Sequence, residues 1–212
     1  MSPRRRRLTA RIGFPALLIL AGLASYFCFP SLRLAAHAGQ LQSLSGFQVV
    51  DAHRYDQEWF DAARAGRVDI LSALYQAHYP LDAKTPAGYT ALILAAYDEQ
   101  PAALGYLLMA GANPCLGDRN GNTALMGTLY KCELAIARLL KTRCPIDQMN
   151  NAGETALSFA ALFGRLEILP ELVALGADPN HVDARGDTPL VIAGKQGNAE
   201  AAAALRKVGA TH

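Results

Sequence analysis

The chain predicts an all-α solenoid of helix-turn-helix repeats with short finger loops, preceded by one N-terminal transmembrane or signal helix. Three observations predict it. Thr-Ala-Leu occurs at Thr90, Thr123 and Thr155, and Thr188-Pro189-Leu190 continues the series, in steps of 33, 32 and 33 residues. A glycine stands two residues before each threonine, at Gly88, Gly121, Gly153 and Gly186, where a tight turn needs a residue free to adopt positive φ. Near the start, an uncharged apolar run at residues 12–29 follows Arg4, Arg5, Arg6, Arg7 and Arg11.

The N-terminal elements come first. Residues 1–11 read as a basic n-region held on the cytoplasmic side. The run that opens at Ile12 and ends in Tyr26, Phe27 and Phe29 would reach about 27 Å as a helix at ~1.5 Å per residue, enough to cross a bilayer. It exceeds the usual length of a cleavable signal core, and its aromatic end suits a membrane interface. An uncleaved single-pass anchor is therefore the first reading. A cleaved signal is the alternative, because Ala36-His37-Ala38 offers an A-x-A site. Either way the rest of the chain is carried across the membrane, into the periplasm of a bacterium or a secretory lumen. Residues 30–50 have no clear period and read as a linker.

Residues 51–212 form the repeat domain. Hydrophobic residues make up 51% of the chain, ample for a buried core. Six of the 20 basic residues precede residue 38, while all 18 acidic residues follow residue 50. Beyond residue 38 the balance is 14 basic against 18 acidic, a net of −4. A mildly acidic domain without a basic stripe argues against a nucleic-acid partner.

A second element recurs in phase with the threonines. Gly111-Ala112-Asn113-Pro114 and Gly176-Ala177-Asp178-Pro179 lie two repeats apart, and Gly209-Ala210 follows one repeat further on. Gly66-Arg67-Val68-Asp69-Ile70-Leu71 and Gly164-Arg165-Leu166-Glu167-Ile168-Leu169 share a third pattern. Together these motifs resemble the ankyrin repeat family over residues 55–210, in about five repeats, the first a degenerate copy from Glu58 to Asp82. The resemblance implies turn, short helix, loop, longer helix and a Gly-Ala-Asp-type exit into a finger.

The departures from that pattern carry expectations of their own. The family's motif histidine is replaced by Ile93, Met126, Ser158 and Val191, leaving each threonine hydroxyl to cap its helix, typically worth ~1 kcal/mol. Pro101 suits a helix start, whereas Pro170 falls further inside its helix and should distort it. Repeat three has Thr128 in place of a core alanine and Arg143-Cys144-Pro145 in place of Gly-Ala-Asp. His78 stands where the first exit glycine belongs. Glu58, Asp61 and Arg64 suit one polar cap and Glu200, Arg206 and Lys207 the other, so the array is expected to be complete within this chain.

No convergent chemistry emerges from the sequence. The five histidines are scattered, and no Gly-rich phosphate loop, G-x-S-x-G or H-E-x-x-H occurs. Asp178, Asp183 and Asp187 lack calcium-loop spacing and read as finger carboxylates exposed to water. Cys28 sits in the apolar run. Cys115, Cys132 and Cys144 fit neither a zinc set nor a C-x-x-C motif; they read as small apolar residues in a repeat core, with one disulfide in an oxidising compartment as the alternative. No cofactor, metal, catalytic residue or small-molecule substrate is expected, and the chain reads as a non-enzyme.

What remains is surface. By resemblance, the exposed side of the first helices and the fingers form a concave face where partners bind. Seven residues after each threonine lie Tyr97, Tyr130, Leu162 and Lys195, with Phe163 adjacent and Tyr89 in a finger. Tyrosine, arginine and methionine bury large area at moderate entropic cost, which makes Tyr89, Tyr97, Tyr130, Phe163, Arg119, Met149, Arg185 and Lys195 the candidate partner-binding residues. Packing of the rings between repeats is the competing reading. The function expected is a protein-binding module or scaffold at or beyond a membrane, which residues 12–29 would contact if uncleaved. A dedicated inhibitor or immunity-type protein for one exported enzyme is the alternative, and an enzyme with an unrecognised site is the alternative from another class.

The arginine run before the apolar span generates a topology prediction. A reporter active only outside the cytoplasm should work when fused after His212. Full activity of a cytoplasm-only reporter at that site would refute export, and a mature N-terminus at Gly39 would convert the anchor into a cleaved signal.

Overall fold

The computed structural model describes residues 52–211. The basic n-region, the apolar span with Cys28, the linker with His37, and His212 lie outside the described residues. No helix among the described residues is long and apolar enough to cross a membrane.

A 3₁₀ turn, Ala52–Tyr55, leads into five helix pairs. These are α1 (Asp56–Arg64) with α2 (Val68–Gln76), α3 (Ala91–Tyr97) with α4 (Pro101–Ala110), and α5 (Ala124–Lys131) with α6 (Leu134–Leu140). They continue with α7 (Ala156–Leu162) and α8 (Leu169–Ala174), then α9 (Pro189–Lys195) and α10 (Ala199–Lys207). Four of the first helices start at a threonine. Thr90, Thr123, Thr155 and Thr188 are extended, and each hydroxyl accepts from the backbone N–H three residues on, at 3.2, 3.4, 3.3 and 3.3 Å. Only α7 closes the box from both sides: Ser158, standing where the family has histidine, accepts in turn from the Thr155 N–H at 2.9 Å.

The first helices stack in a row, α1 on α3 on α5 on α7 on α9. Their contacts are small: Ala91, Ala95, Ala124, Gly127, Ala156, Ala160 and Ala193 are all buried. The second helices bring Leu71, Leu104, Leu107, Leu140, Leu169 and Leu172 to the core. Small residues let the first helices approach closely, and the larger leucines fill the space between the second helices. The core divides into two apolar clusters that meet inside repeat three. One runs from Trp59 to Ile136 and Leu140; the other takes Met126, Leu129 and Ala137 and continues to Ala210.

Pro101 occupies the first turn of α4, as expected. Pro170 does distort its repeat. Residues Leu166–Ile168 form a 3₁₀ turn and α8 begins only at Leu169, which puts Pro170 in the first turn of a shortened helix where its missing N–H is harmless. Thr128 is fully buried, and its hydroxyl donates to the Leu125 carbonyl at 2.7 Å. His78 takes the glycine conformation at φ 65°. Next to it Tyr79 fills the place of the exit alanine, with its ring 4.8 Å from that of Trp59 and its hydroxyl donating to Asp56 at 2.6 Å. The polar residues assigned to the two ends, Glu58, Asp61 and Arg64 and then Glu200, Arg206 and Lys207, are exposed.

The cysteines correct the core reading. Cys115 and Cys144 form a disulfide, with Cα atoms 5.5 Å apart, and Cys132 is exposed at the end of α5. Apolar burial does not place them there. Cys115 lies in one finger segment and Cys144 in the next, where side chains face each other across the gap between repeats.

The turn joining the helices of each pair uses one left-handed residue, at Gly66, Glu99, Cys132, Gly164 and Gly197. Glu99 (φ 53°) and Cys132 (φ 72°) hold this conformation with a Cβ, which costs roughly 1 kcal/mol relative to glycine. Glu99→Gly and Cys132→Gly should therefore each raise unfolding free energy by about 0.5–1 kcal/mol in chemical denaturation. A loss of stability in both would show that side-chain contacts, not backbone strain, decide these positions.

Candidate partner-binding face

Each finger is built around one side-chain acceptor. Thr85, Asp118, Asn150 and Asp183 stand in phase, and each accepts from the backbone N–H four residues on, at 3.1, 2.9, 2.9 and 3.0 Å. Asp183 corrects the exposed-carboxylate reading: it is 7% exposed and hydrogen-bonded to its own finger. Burial works to raise its pKa, but donation from the Asp187 and Arg185 backbones and the Arg185 side chain holds it below the usual range. Asp187 is half-buried, whereas Asp178 is exposed as expected.

Backbone bonds join finger to finger. Arg119 N–H donates to Ala87 at 3.0 Å, Asn151 to Asn120 at 2.9 Å and Ala184 to Ala152 at 2.9 Å. The turn glycines are required twice over at this joint. Gly88 has φ 85°, and a Cβ there would lie 2.5 Å from the Arg119 nitrogen. Gly153 meets Ala184 in the same way, at 2.6 Å.

Above this ladder runs a row of rings. Tyr89 and Tyr97 are 6.0 Å apart, Tyr97 and Tyr130 6.5 Å, and Tyr130 and Phe163 5.0 Å, with Phe159 5.5 Å beyond Phe163. The rings thus form one contact series across repeats two, three and four. They are not equally open. Tyr130 is 50% exposed, while Tyr89, Tyr97 and Phe163 are half-buried. Tyr97, the last residue of α3, packs its ring against α5, where a Cβ at Gly127 would come 2.4 Å from it. Burial, then the neighbouring Tyr89, Asp118 and Tyr130, push its hydroxyl up to about 12. A tyrosine hydroxyl that stays protonated this far is held in a low-dielectric contact.

The charged candidates are mostly tied within the chain. Arg185 pairs with Asp183 at 2.8 Å and Glu154 at 3.5 Å, and Lys195 pairs with Asp187 at 2.7 Å. The Arg119 guanidinium donates to the Pro86 carbonyl of the preceding finger. Met149 is 54% exposed at the base of its finger. The structure therefore brings Tyr89, Tyr97, Tyr130 and Phe163 into one contact series and leaves Arg119, Met149, Arg185 and Lys195 along the fingers and the α9 end.

Two contributors escaped the sequence. Val182 stands in phase with Met149 and is as open. Arg165 reaches back to donate to the Leu129 and Tyr130 carbonyls at 3.0 and 3.3 Å, capping α5 at the point where it presents Tyr130. No group of three or more His, Cys, Asp or Glu side chains placed to hold a metal ion occurs among the described residues.

Helix pairs in phase, capped at threonine and linked by glycine-turned fingers, define a repeat solenoid. The model of ankyrin repeats (3 copies) matches residues 59–142 and 127–212, and the chain belongs to the ankyrin repeat family. It is 32% identical over 146 residues to a mitochondrial disaggregase of Bos taurus, covering 64% of this chain and 20% of that protein. It is 38% identical over 98 residues to NF-kappa-B inhibitor alpha of Mus musculus, covering 43% and 31%. Protein PhlB of Serratia liquefaciens is 38% identical over 108 residues, covering 50% and 48%. The chain thus spans less than half the length of each of these relatives.

Proposed function

We propose that this chain is a non-enzymatic protein-binding module that receives another protein on the side of its first helices and fingers. The observation that carries the reading is the ring series from Tyr89 to Phe163, which offers adjacent aromatic area across three repeats. Aromatic side chains anchor interfaces well because they bury much surface at small entropic cost. The finger charges are already paired inside the chain, so they frame the rings at little further desolvation cost. The net acidity of the repeat domain speaks against nucleic acid as the partner.

The module acts at or beyond a membrane: anchored in the inner membrane by residues 12–29 with the repeats in the periplasm, or in a secretory lumen, or released after cleavage near Ala38. The arginine run supports this location. The Cys115–Cys144 disulfide supports it too, since such bonds persist in oxidising compartments. A dedicated inhibitor of one exported enzyme is the second reading, favoured by similarity to a protein named as an inhibitor.

Tyr130→Ala separates the two roles of the rings more cleanly than any change at Tyr97, whose ring is wedged on Gly127. The partner is first captured with the intact, membrane-extracted chain, and affinity and melting are then measured on the same variant. Tyr130→Ala should leave melting within a few degrees and weaken binding by tenfold or more, a typical hot-spot loss of ~2 kcal/mol. A folded Tyr130→Ala protein that binds normally removes the ring series from the interface. An activity of the captured partner that falls on binding would select the inhibitor reading over the scaffold.

A further inference from the structure

Alongside the backbone ladder, the fingers carry a second set of cross-links, and one of its four rungs differs from the rest. Asp82 accepts from the Asn113 N–H at 3.0 Å, Asp147 from the Asp178 N–H at 3.1 Å, and Asn180 from the Thr211 N–H at 2.9 Å. Asp82, Cys115, Asp147 and Asn180 follow one another at the repeat spacing, so Cys115 occupies the acceptor position of the missing rung. The donor position opposite it, in phase with Asn113, Asp178 and Thr211, is Pro145. Proline has no N–H to give. At this junction the chain places Cys144, in the exit-alanine position, and bonds it to Cys115. A covalent bond stands where a hydrogen bond cannot form.

The same junction departs from the others in further ways. The exit of repeat three is one residue short and lacks the left-handed glycine that Gly111, Gly176 and Gly209 supply elsewhere. The two apolar clusters meet in this repeat. A small void of about 10 Å³ lies between Thr123, Met126, Leu140 and Cys144. Nearby, Gln148 donates to the Cys115 carbonyl at 2.7 Å, but its side-chain oxygen is buried without a donor among the described residues. Thr123 and Met126 belong to the start of α5, the helix that carries Tyr130 at its other end. Cys144 thus sits beside the start of the helix whose far end bears Tyr130, the ring that touches both Tyr97 and Phe163.

We propose that Cys115–Cys144 is a redox-controlled clamp on the repeat two to repeat three junction, and that opening it loosens α5 and with it the ring series. The consequence for partner binding rests on the function proposed above; the clamp itself does not. Opening requires a dithiol reductant. One of its thiolates attacks a bridging sulfur to form a mixed disulfide, and its second thiol resolves that bond. Two electrons and two protons pass to Cys115 and Cys144, and the reductant leaves as a disulfide. A disulfide-class oxidant reverses the exchange. Both cysteines are half-buried rather than enclosed, which leaves them open to such an exchange.

The test uses the full chain in detergent, oxidised and reduced with dithiothreitol, together with two variants. Cys115→Ser/Cys144→Ala removes the clamp. Cys115→Asp/Cys144→Ala/Pro145→Asn rewrites the junction in the pattern of the other three rungs. Melting, hydrogen exchange over α5 and the rate of Tyr97 acetylation by N-acetylimidazole are followed; none of them involves a partner, so they judge the clamp independently of the binding reading. Reduction should lower the melting temperature by roughly 5–15 °C, raise exchange over α5 at least tenfold and speed Tyr97 acetylation. The double variant should match the reduced wild type and ignore the reductant, and the triple variant should recover at least half of the lost melting temperature. Melting, exchange and acetylation unchanged on reduction, or a triple variant melting no higher than the double, would overturn the proposal.

Discussion

The structure depends on how closely one first helix can approach the next. Tyr97 rests its ring on the backbone of α5 at Gly127, and no other residue leaves room for it there. The same spacing, set by alanines along α3, α5, α7 and α9, lets the fingers meet at backbone hydrogen-bond distance. It also brings the rings into mutual contact. Finger ladder and ring series are two results of one packing constraint. An array of this kind has no central core to fall back on, so each junction must hold by itself.

The four junctions are variations of one plan. Threonine caps, an Asx or Thr acceptor in each finger and a side-chain rung at the exit recur with the period of the repeat. Repeat three breaks the plan through a missing residue, a proline at the donor position and a buried threonine. It compensates with a disulfide, with the Thr128 hydroxyl turned to its own helix, and with Arg165 capping α5 from the following repeat. Irregularity and compensation fall in the repeat that carries Tyr130, the most open of the four rings.

Much of this was legible in the sequence because the period of the threonines and glycines is itself the stacking constraint written out. The caps, the left-handed turns, the start at Pro101 and the distortion at Pro170 all follow from local chemistry. A disulfide was legible only as the alternative to core packing, and its pairing not at all, since two cysteines 29 residues apart match no motif, and the absent rung shows only when Pro145 is aligned with Asn113 and Asp178. Asp183 was misread because sequence gives a carboxylate's charge but not the N–H groups folded around it. For the rings, phase named the residues, yet could not divide their area between groove and neighbour. The rings contact one another from repeat to repeat, with Tyr97 half-buried and Tyr130 the most open.

Repeat-to-repeat approach along the first helices holds both the array and the ring series. Two glycines within helices test it most directly. Gly105 on α4 has open space where a Cβ would go, whereas a Cβ at Gly127 would lie 2.4 Å from the Tyr97 ring. Thermal melting of the two alanine variants compares them under identical helix propensity. Gly105→Ala should gain about 0.5–1 kcal/mol from propensity alone, while Gly127→Ala should lose about 1–3 kcal/mol by forcing the repeats apart. Equal stabilisation by both substitutions would contradict the account.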